Sequence, residues 1–278
     1  MSPTTSAKPR LPSKSNIQTF RRKVWRFYRG NGRDLPFRRT ADPYCITVSE
    51  MMLQQTQVAR VEPKYCEWIM RWPDWDSLAE ADSRSLLSAW SGLGYNRRAR
   101  YLRDIARILV NDYDSVMPMD ETALLRLPGI GEYTSRAIVI FSANRNLATV
   151  DTNIRQALVS EFPRWADASS KNLLRLAEAV MPSGYSRRWH YALMDYGSLG
   201  LDSKAKRRIT KPKQSPFVGS LRQIRGEIIR RLSVGNTVEV PALSSELKRA
   251  EDVVRQAALA LEKDGMVVLH DNCVELSH

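Results

Sequence analysis

The sequence predicts an all-α chain that closes on a small α+β module. Three observations predict it. Amphipathic runs at helical spacing fill residues 16–201, breakers separate them, and a hairpin pattern follows near the C-terminal end. The runs fall at 20–28, 45–58, 83–90, 98–110, 134–143, 154–159, 173–180 and 189–194. Pro36, Pro43, Gly92, Gly94, Pro128, Pro163 and Pro182 punctuate them, and no fixed-period repeat is visible.

The pattern changes after residue 201. A run rich in Lys and Arg, Lys204 to Lys213, reads as an exposed tether or as a phosphate contact. A helix over 221–232, a strand at 237–240, helices at 244–248 and 250–263, and a hairpin come next. In that hairpin Met266–Leu269 faces Cys273–Leu276 across Asp271-Asn272. The order is similar to a winged-helix domain. The expected organisation is a disordered basic tail at 1–14, a helical domain at 15–201, a basic linker at 202–216 and the small module at 217–278.

Charge locates the functional part of the chain. The net charge is +13, which points to a polyanion partner. Residues 215–278 hold 8 Lys+Arg against 9 Asp+Glu, leaving 35 against 21 in the first 214. The module's near-zero charge argues against a strong phosphate footprint, and a protein partner or a purely structural role fits it equally well. The three cysteines, Cys45, Cys66 and Cys273, form neither a disulfide framework nor a Cys-x-x-Cys pair, as expected of thiols in a reducing compartment. No apolar run approaches membrane-spanning length, so no membrane partner is expected. The basic residues 1–15 lack the apolar core of a secretory signal.

Two segments carry chemistry. In the first, Leu127-Pro128-Gly129-Ile130-Gly131-Glu132-Tyr133-Thr134, a helix over 121–127 stops at Pro128 and another starts after Gly131. Gly129 and Gly131 permit a tight turn, and backbone N–H groups at such a turn and helix start suit an anion. The bland alternative is an ordinary corner of a helical core. Asp151 follows and opens another helix, as an N-cap or as an acid beside a bound nucleotide. The second segment is Val48-Ser49-Glu50-Met51-Met52-Leu53-Gln54-Gln55-Thr56-Gln57-Val58. Its apolar residues surround the helix rather than forming one stripe, so the helix is buried. Glu50 is then either desolvated, which raises a carboxyl's pKa, or at one wet edge beside Gln54 and Gln57.

These motifs, with Gly92-Leu93-Gly94-Tyr95 and Val150-Asp151-Thr152-Asn153 in the same order, resemble the helix-hairpin-helix (HhH-GPD) DNA glycosylases. Among them the match is to the adenine glycosylases of the MutY type, over about Phe20 to Gly197. The resemblance implies a bilobal helical fold that bends DNA and swings the target base out of the duplex. It implies a cytoplasmic, nucleoid, nuclear or organellar enzyme acting on double-stranded DNA with a mispaired or damaged base. Glu50 matches the acid that protonates the adenine ring and then assists a water. Asp151 matches the carboxylate that stabilises the sugar's developing positive charge, and Asn153 a polar partner of these acids. Gln54, Gln55, Tyr95, Gly129 and Gly131 are the DNA-binding candidates, with Gln55 and Tyr95 matching side chains that enter the duplex. The alternatives are a surface amide for Gln55 and a packed aromatic for Tyr95.

The chemistry agrees. Adenine leaves poorly as an anion, so its release needs a general acid, and the oxocarbenium-like state needs a negative neighbour. Protonated Glu50 and ionised Asp151 meet both demands. Relatives that also nick the strand place a lysine at the position of Tyr133. A phenol cannot form a Schiff base, so an intact abasic strand is expected; the alternative for Tyr133 is packing under the hairpin.

The sequence also departs from the family. Leu201 stands at the first of four cysteine positions that hold an iron–sulfur cluster in many relatives, and no cysteine cluster follows. The expectation is therefore no metal and no cofactor. The family's usual C-terminal domain gives way to the winged-helix-like module, which leaves preference for 8-oxoguanine open. Asn96 replaces a usual tyrosine. Two other readings stand beside adenine removal: a thymine or uracil mismatch glycosylase, and a DNA-binding protein without catalysis.

Overall fold

The structure, a computed structural model, describes residues 9–202 and 218–277. Residues 1–8 of the expected tail, and the expected linker apart from Asp202, lie outside the described residues. The tail is shorter than expected, because helix α1 (Lys14–Asn31) already begins at Lys14. Ser13 caps it, its Oγ accepting from the Asn16 N–H at 3.2 Å.

The chain forms two compact units that interleave in sequence. One takes Met1–Ile46, Met119–Leu125 and Ile130–Pro212; the other takes Thr47–Pro118, Arg126–Gly129 and Lys213–His278. Helix α2 (Pro43–Leu53) starts in the first and continues into the second.

In the first unit, α1 is joined by the short α7 (Glu121–Leu124) and by α8 (Glu132–Ala143), α9 (Thr152–Glu161), α10 (Ser170–Val180) and α11 (Ser186–Leu199). Phe20 of α1 sits at the centre of an aromatic core. Its ring meets Phe162, Trp189 and Tyr196 edge-on at centroid separations of 5.3, 6.0 and 6.5 Å. Arg21, on the same helix, caps α10 by donating to the carbonyls of Val180 and Met181, both at 2.7 Å.

The second unit contains α3 (Val58–Arg71), α4 (Trp75–Ala79), α5 (Ser83–Trp90) and α6 (Arg97–Asp112). Trp68 is fully enclosed and meets Trp72 and Trp90 edge-on at 4.7 and 5.4 Å. Helices α3 and α4 have no counterpart among the sequence-predicted runs. Pro63 lies inside α3 and masks it, although Val61, Tyr65 and Trp68 keep the i, i+4, i+7 spacing of one buried face.

The C-terminal module matches its expected order: α12 (Leu221–Leu232), β1 (Thr237–Glu239), α13 (Val240–Leu247), α14 (Glu251–Lys263), β2 (Val267–His270) and β3 (Cys273–Leu276). The sheet runs β1-β3-β2, antiparallel throughout, with Leu269 opposite Val274. The module does not stand apart. Leu87 of α5 joins its core with Ile228, Leu232, Val254 and Val274. Arg84 donates to Asn236 at 2.6 Å, and Asp264 accepts from Arg97 at 3.0 Å and from Arg225. These contacts engage Arg97 at the start of α6.

Two other expectations change. The first helix of the hairpin is a single turn, Glu121–Leu124, because Leu125–Leu127 depart before Pro128. The helix expected over 45–58 ends at Leu53, where one buried guanidinium takes up its terminal carbonyls.

Candidate active site

Asp151 is the best-defined candidate group of the first unit. It caps α9: Oδ1 accepts from the Ile154 N–H at 2.6 Å, and Oδ2 accepts from the Asn153 side-chain amide at 3.1 Å. The cap reading and the nucleotide-facing reading therefore rest on one carboxylate with a fixed orientation. Burial pushes the Asp151 carboxyl up from its ordinary value, against the bonds from Ile154 and Asn153 and the nearby Arg33 charge. The residue as a whole stays partly accessible.

Tyr133 lies in the first turn of α8, partly buried against Ile46, Ala137, Ile140, Phe141 and Tyr191. Gly131 is the N-cap of α8 and is exposed, with extended backbone at φ −101°. No left-handed conformation is required there. The expectation of a conformationally special glycine holds at Gly129, whose φ is +76°.

A buried charge cluster in the same unit escaped sequence reasoning. Asp195 of α11 has no exposed surface and accepts from Arg33 N and Nε at 2.9 and 2.7 Å and from both Arg38 terminal nitrogens at 2.8 and 2.9 Å. Burial alone would raise its carboxyl, but the Arg38 and Arg33 bonds and charges hold it below the usual aspartate value. Arg38 lies 4.6 Å over the Tyr191 ring, which stacks on Phe141 at 4.7 Å. Arg33, Arg38, Arg188, Tyr28 and Tyr191 line a cavity of about 380 Å³. Arg33 and Asp195 are 162 positions apart, so no local motif joins them. The available signal was an aspartate between Met194 and Tyr196, within the apolar half of α11.

In the second unit Glu50 sits mid-helix on α2, only 8 % exposed, among Val48, Met51 and Met52 with no exposed surface. This favours the desolvated alternative over the wet edge. Gln54 and Gln55 leave the helix and form a turn with Thr56, while Gln57 is the N-cap of α3. Gln55 is exposed at φ +57°, and Tyr95, 47 % exposed, stands at φ +47°. Tyr95 is therefore not the packed aromatic of the alternative. Two non-glycine residues in left-handed backbone mark strained turns that their surroundings must enforce.

Arg98 enforces them. Its guanidinium donates to the carbonyls of Met51, Met52 and Gln54 on one turn at 2.6, 2.9 and 2.7 Å. On the other it reaches Leu93 and Gly94 at 3.1 and 2.8 Å. Burial lowers its pKa to about 10. Sequence reasoning missed this role, though Arg98 lies on the apolar stripe of α6 with Leu102, Ile105 and Leu109. Gly129 closes on the same group of elements: a Cβ there would lie 2.4 Å from the Tyr101 ring and 3.0 Å from Met51 Cε.

Glu50, Gln54, Gln55, Tyr95 and Gly129 thus belong to one unit, and Asp151, Asn153, Tyr133 and Gly131 to the other. The residues do not fit a four-cysteine cluster: the whole chain has three cysteines and Leu201 holds the first ligand position. Among the described residues, no group of three or more His, Cys, Asp or Glu could hold a metal ion. No described helix is long and apolar enough to cross a membrane.

A single-turn helix, a glycine hairpin, a second helix and a capped aspartate define a DNA-repair fold, and comparison with known proteins agrees. Residues 48–183 match the HhH-GPD superfamily of base excision DNA repair proteins. The chain is 34 % identical over 257 residues to the adenine DNA glycosylase of Mycolicibacterium smegmatis, covering 84 % of this chain and 88 % of that one. It is 29 % identical over 177 residues to a thymine/uracil-DNA glycosylase of Methanothermobacter thermautotrophicus, covering 62 % of this chain and 80 % of that one. The solved structure of a thermostable thymine-DNA glycosylase superposes with a TM-score of 0.62 at 28 % identity, covering 66 % of this chain and 87 % of that one. The chain belongs to the HhH-GPD superfamily. Residues 1–201 are under three quarters of its length, so the mycobacterial match, at 84 %, continues into the residues beyond 201. The module is therefore compatible with adenine glycosylases.

Proposed function

We propose that the chain is a monofunctional adenine DNA glycosylase of base excision repair, removing adenine mispaired with guanine or 8-oxoguanine. The observation that carries the reading is Glu50: a carboxyl group enclosed on a helix apolar on nearly every side, in a chain 34 % identical to adenine glycosylases. Pyrimidine leaving groups depend less on ring protonation, so a sequestered acid favours a purine substrate.

Glu50 gives its proton to a ring nitrogen of the extruded adenine. The C1′–N9 bond breaks, its electron pair stays with the neutral base, and positive charge develops on the sugar. Asp151 as carboxylate, oriented by Ile154 and Asn153, stabilises that charge. A water then attacks C1′ and returns its proton to Glu50. The products are adenine and an abasic site in an unbroken strand, since Tyr133 offers no amine. No step needs a metal.

The test is single-turnover incubation with duplexes carrying A·G, A·8-oxoguanine, T·G and U·G, each split between direct analysis and alkali. Adenine release with alkali-dependent breakage is expected. Release of thymine or uracil alone would replace this reading with the pyrimidine one. Undiminished adenine release by Glu50→Gln would remove the acid role.

A further inference from the structure

His190 on α11 is a buried titratable group that the proposed chemistry does not use. It is 1 % exposed, and its Nε2 accepts the Thr149 N–H at 3.0 Å. A backbone N–H can only donate, so Nε2 carries the lone pair and Nδ1 the proton. Nδ1 then donates to the Ser186 carbonyl at 2.7 Å. Ser186 Oγ in turn donates to the Leu147 carbonyl at 2.7 Å. The first turn of α11 thereby holds the segment Leu147–Thr149 at two points, two residues before Asp151. Near its other end the same helix abuts Asn153, whose carbonyl oxygen lies 2.0 Å from where a Cβ on Gly197 would be. Helix α11 grips the chain on both sides of the carboxylate. Burial lowers the imidazole to about 4, so this arrangement persists through neutral pH.

We propose that His190 is a positioning residue for base removal, setting the place of Asp151 by accepting the Thr149 N–H. The proposal rests on the reading of Asp151 as the sugar-stabilising carboxylate. Thr149 is 2 % exposed, so its N–H has no water to turn to if the acceptor is lost. The Asp151 segment would then shift toward another partner. A carboxylate displaced by a fraction of an ångström stabilises the transition state less, while DNA binding elsewhere is unaffected.

The experiment uses the full chain and two variants. His190→Leu keeps apolar bulk and removes the acceptor; His190→Gln restores one at nearly the reach of Nε2. Single-turnover adenine release and affinity for an uncleavable A·G duplex are measured well below each melting midpoint. His190→Leu is expected to slow release by about tenfold or more with affinity within about twofold, and His190→Gln to recover most of the rate. Parent-like release by His190→Leu, or equal loss in both variants, overturns the proposal. If His190→Leu fails to fold, His190→Ala with and without added imidazole gives the same reading: rescue supports it and no response refutes it. Asp151→Asn run alongside separates the two claims. Full activity there removes the reading of Asp151, whereas loss there with full activity in His190→Leu removes only the role of His190.

Discussion

Replacing Arg98 with methionine tests whether one guanidinium holds the two turns that carry Gln55 and Tyr95. Six backbone carbonyls lose a donor, and the bonds to Met51, Met52 and Leu93 are fully buried. Leu93 keeps the Thr56 hydroxyl as a donor at 3.2 Å. A buried carbonyl without a partner costs on the order of 1–3 kcal/mol, so Met51 and Met52 together cost about 4 kcal/mol. Methionine also relieves the desolvated charge. The burial that lowers the Arg98 pKa to about 10 corresponds to about 3 kcal/mol at 1.36 kcal/mol per pH unit. The net loss is about 1 kcal/mol, which lowers the melting midpoint by roughly 2–4 °C at about 2–4 °C per kcal/mol.

The activity change is more specific than the stability change. Gln55 and Tyr95 both hold left-handed backbone, at φ +57° and +47°, and each relaxes once the carbonyls around it are free. Base extrusion, followed with 2-aminopurine beside the mispair at a temperature where the variant is folded, should slow more than binding weakens. Arg98→Lys keeps the charge but cannot span both turns, and should fall between parent and Arg98→Met. A midpoint equal to or above that of the parent, with unchanged extrusion, would refute the reasoning.

Three further outcomes follow from the site. Gly129→Ala adds a Cβ at φ +76° that meets the Tyr101 ring at 2.4 Å, so stability should fall by about 1–2 kcal/mol and duplex affinity severalfold, read by melting and titration. Because burial raises the folded Asp151 carboxyl above 3.8, the folded chain keeps that proton to higher pH than the unfolded chain. Stability contributed by this group therefore falls as pH rises through that window, while the excision rate, which needs the carboxylate, rises through it; a rate profile whose acid limb falls at or below pH 3.8 contradicts this. Tyr133→Lys supplies the missing amine and should yield a borohydride-trapped adduct and strand breakage without alkali. Absence of both would show that position 133 does not reach the sugar.

Much of this was legible in the sequence because the signals were local. The start of α8 and the cap at Asp151 follow from glycine, proline and capping residues within a few positions of one another. The hairpin β2–β3 was likewise readable from alternation around Asp271-Asn272. What stayed hidden was long-range. Helix α2 stops at Leu53 because Arg98, over forty positions away, takes its last carbonyls, and no propensity within 45–58 reports that. The Arg33–Arg38–Asp195 cluster is a buried balance of charges assembled from helix and turn segments that carry no shared spacing. Helix α3 was obscured by Pro63, yet tertiary burial of Val61, Tyr65 and Trp68 overrides the missing hydrogen bond.

In its proposed role, Asp151 illustrates how a functional residue can look like a structural one from sequence alone. As an N-cap it needs an oxygen for the Ile154 N–H, and asparagine supplies that equally well. As a counter-charge to a cationic sugar it needs an ionised carboxylate that burial disfavours. The two demands pull in opposite directions, so Asp151→Asn should leave the chain at least as stable at neutral pH while removing adenine release. The stability gain should shrink as pH falls and the parent's aspartate takes up its proton. A cap alone would show neither the loss of activity nor that pH dependence; a residue that gives up stability to keep a charge beside the sugar shows both.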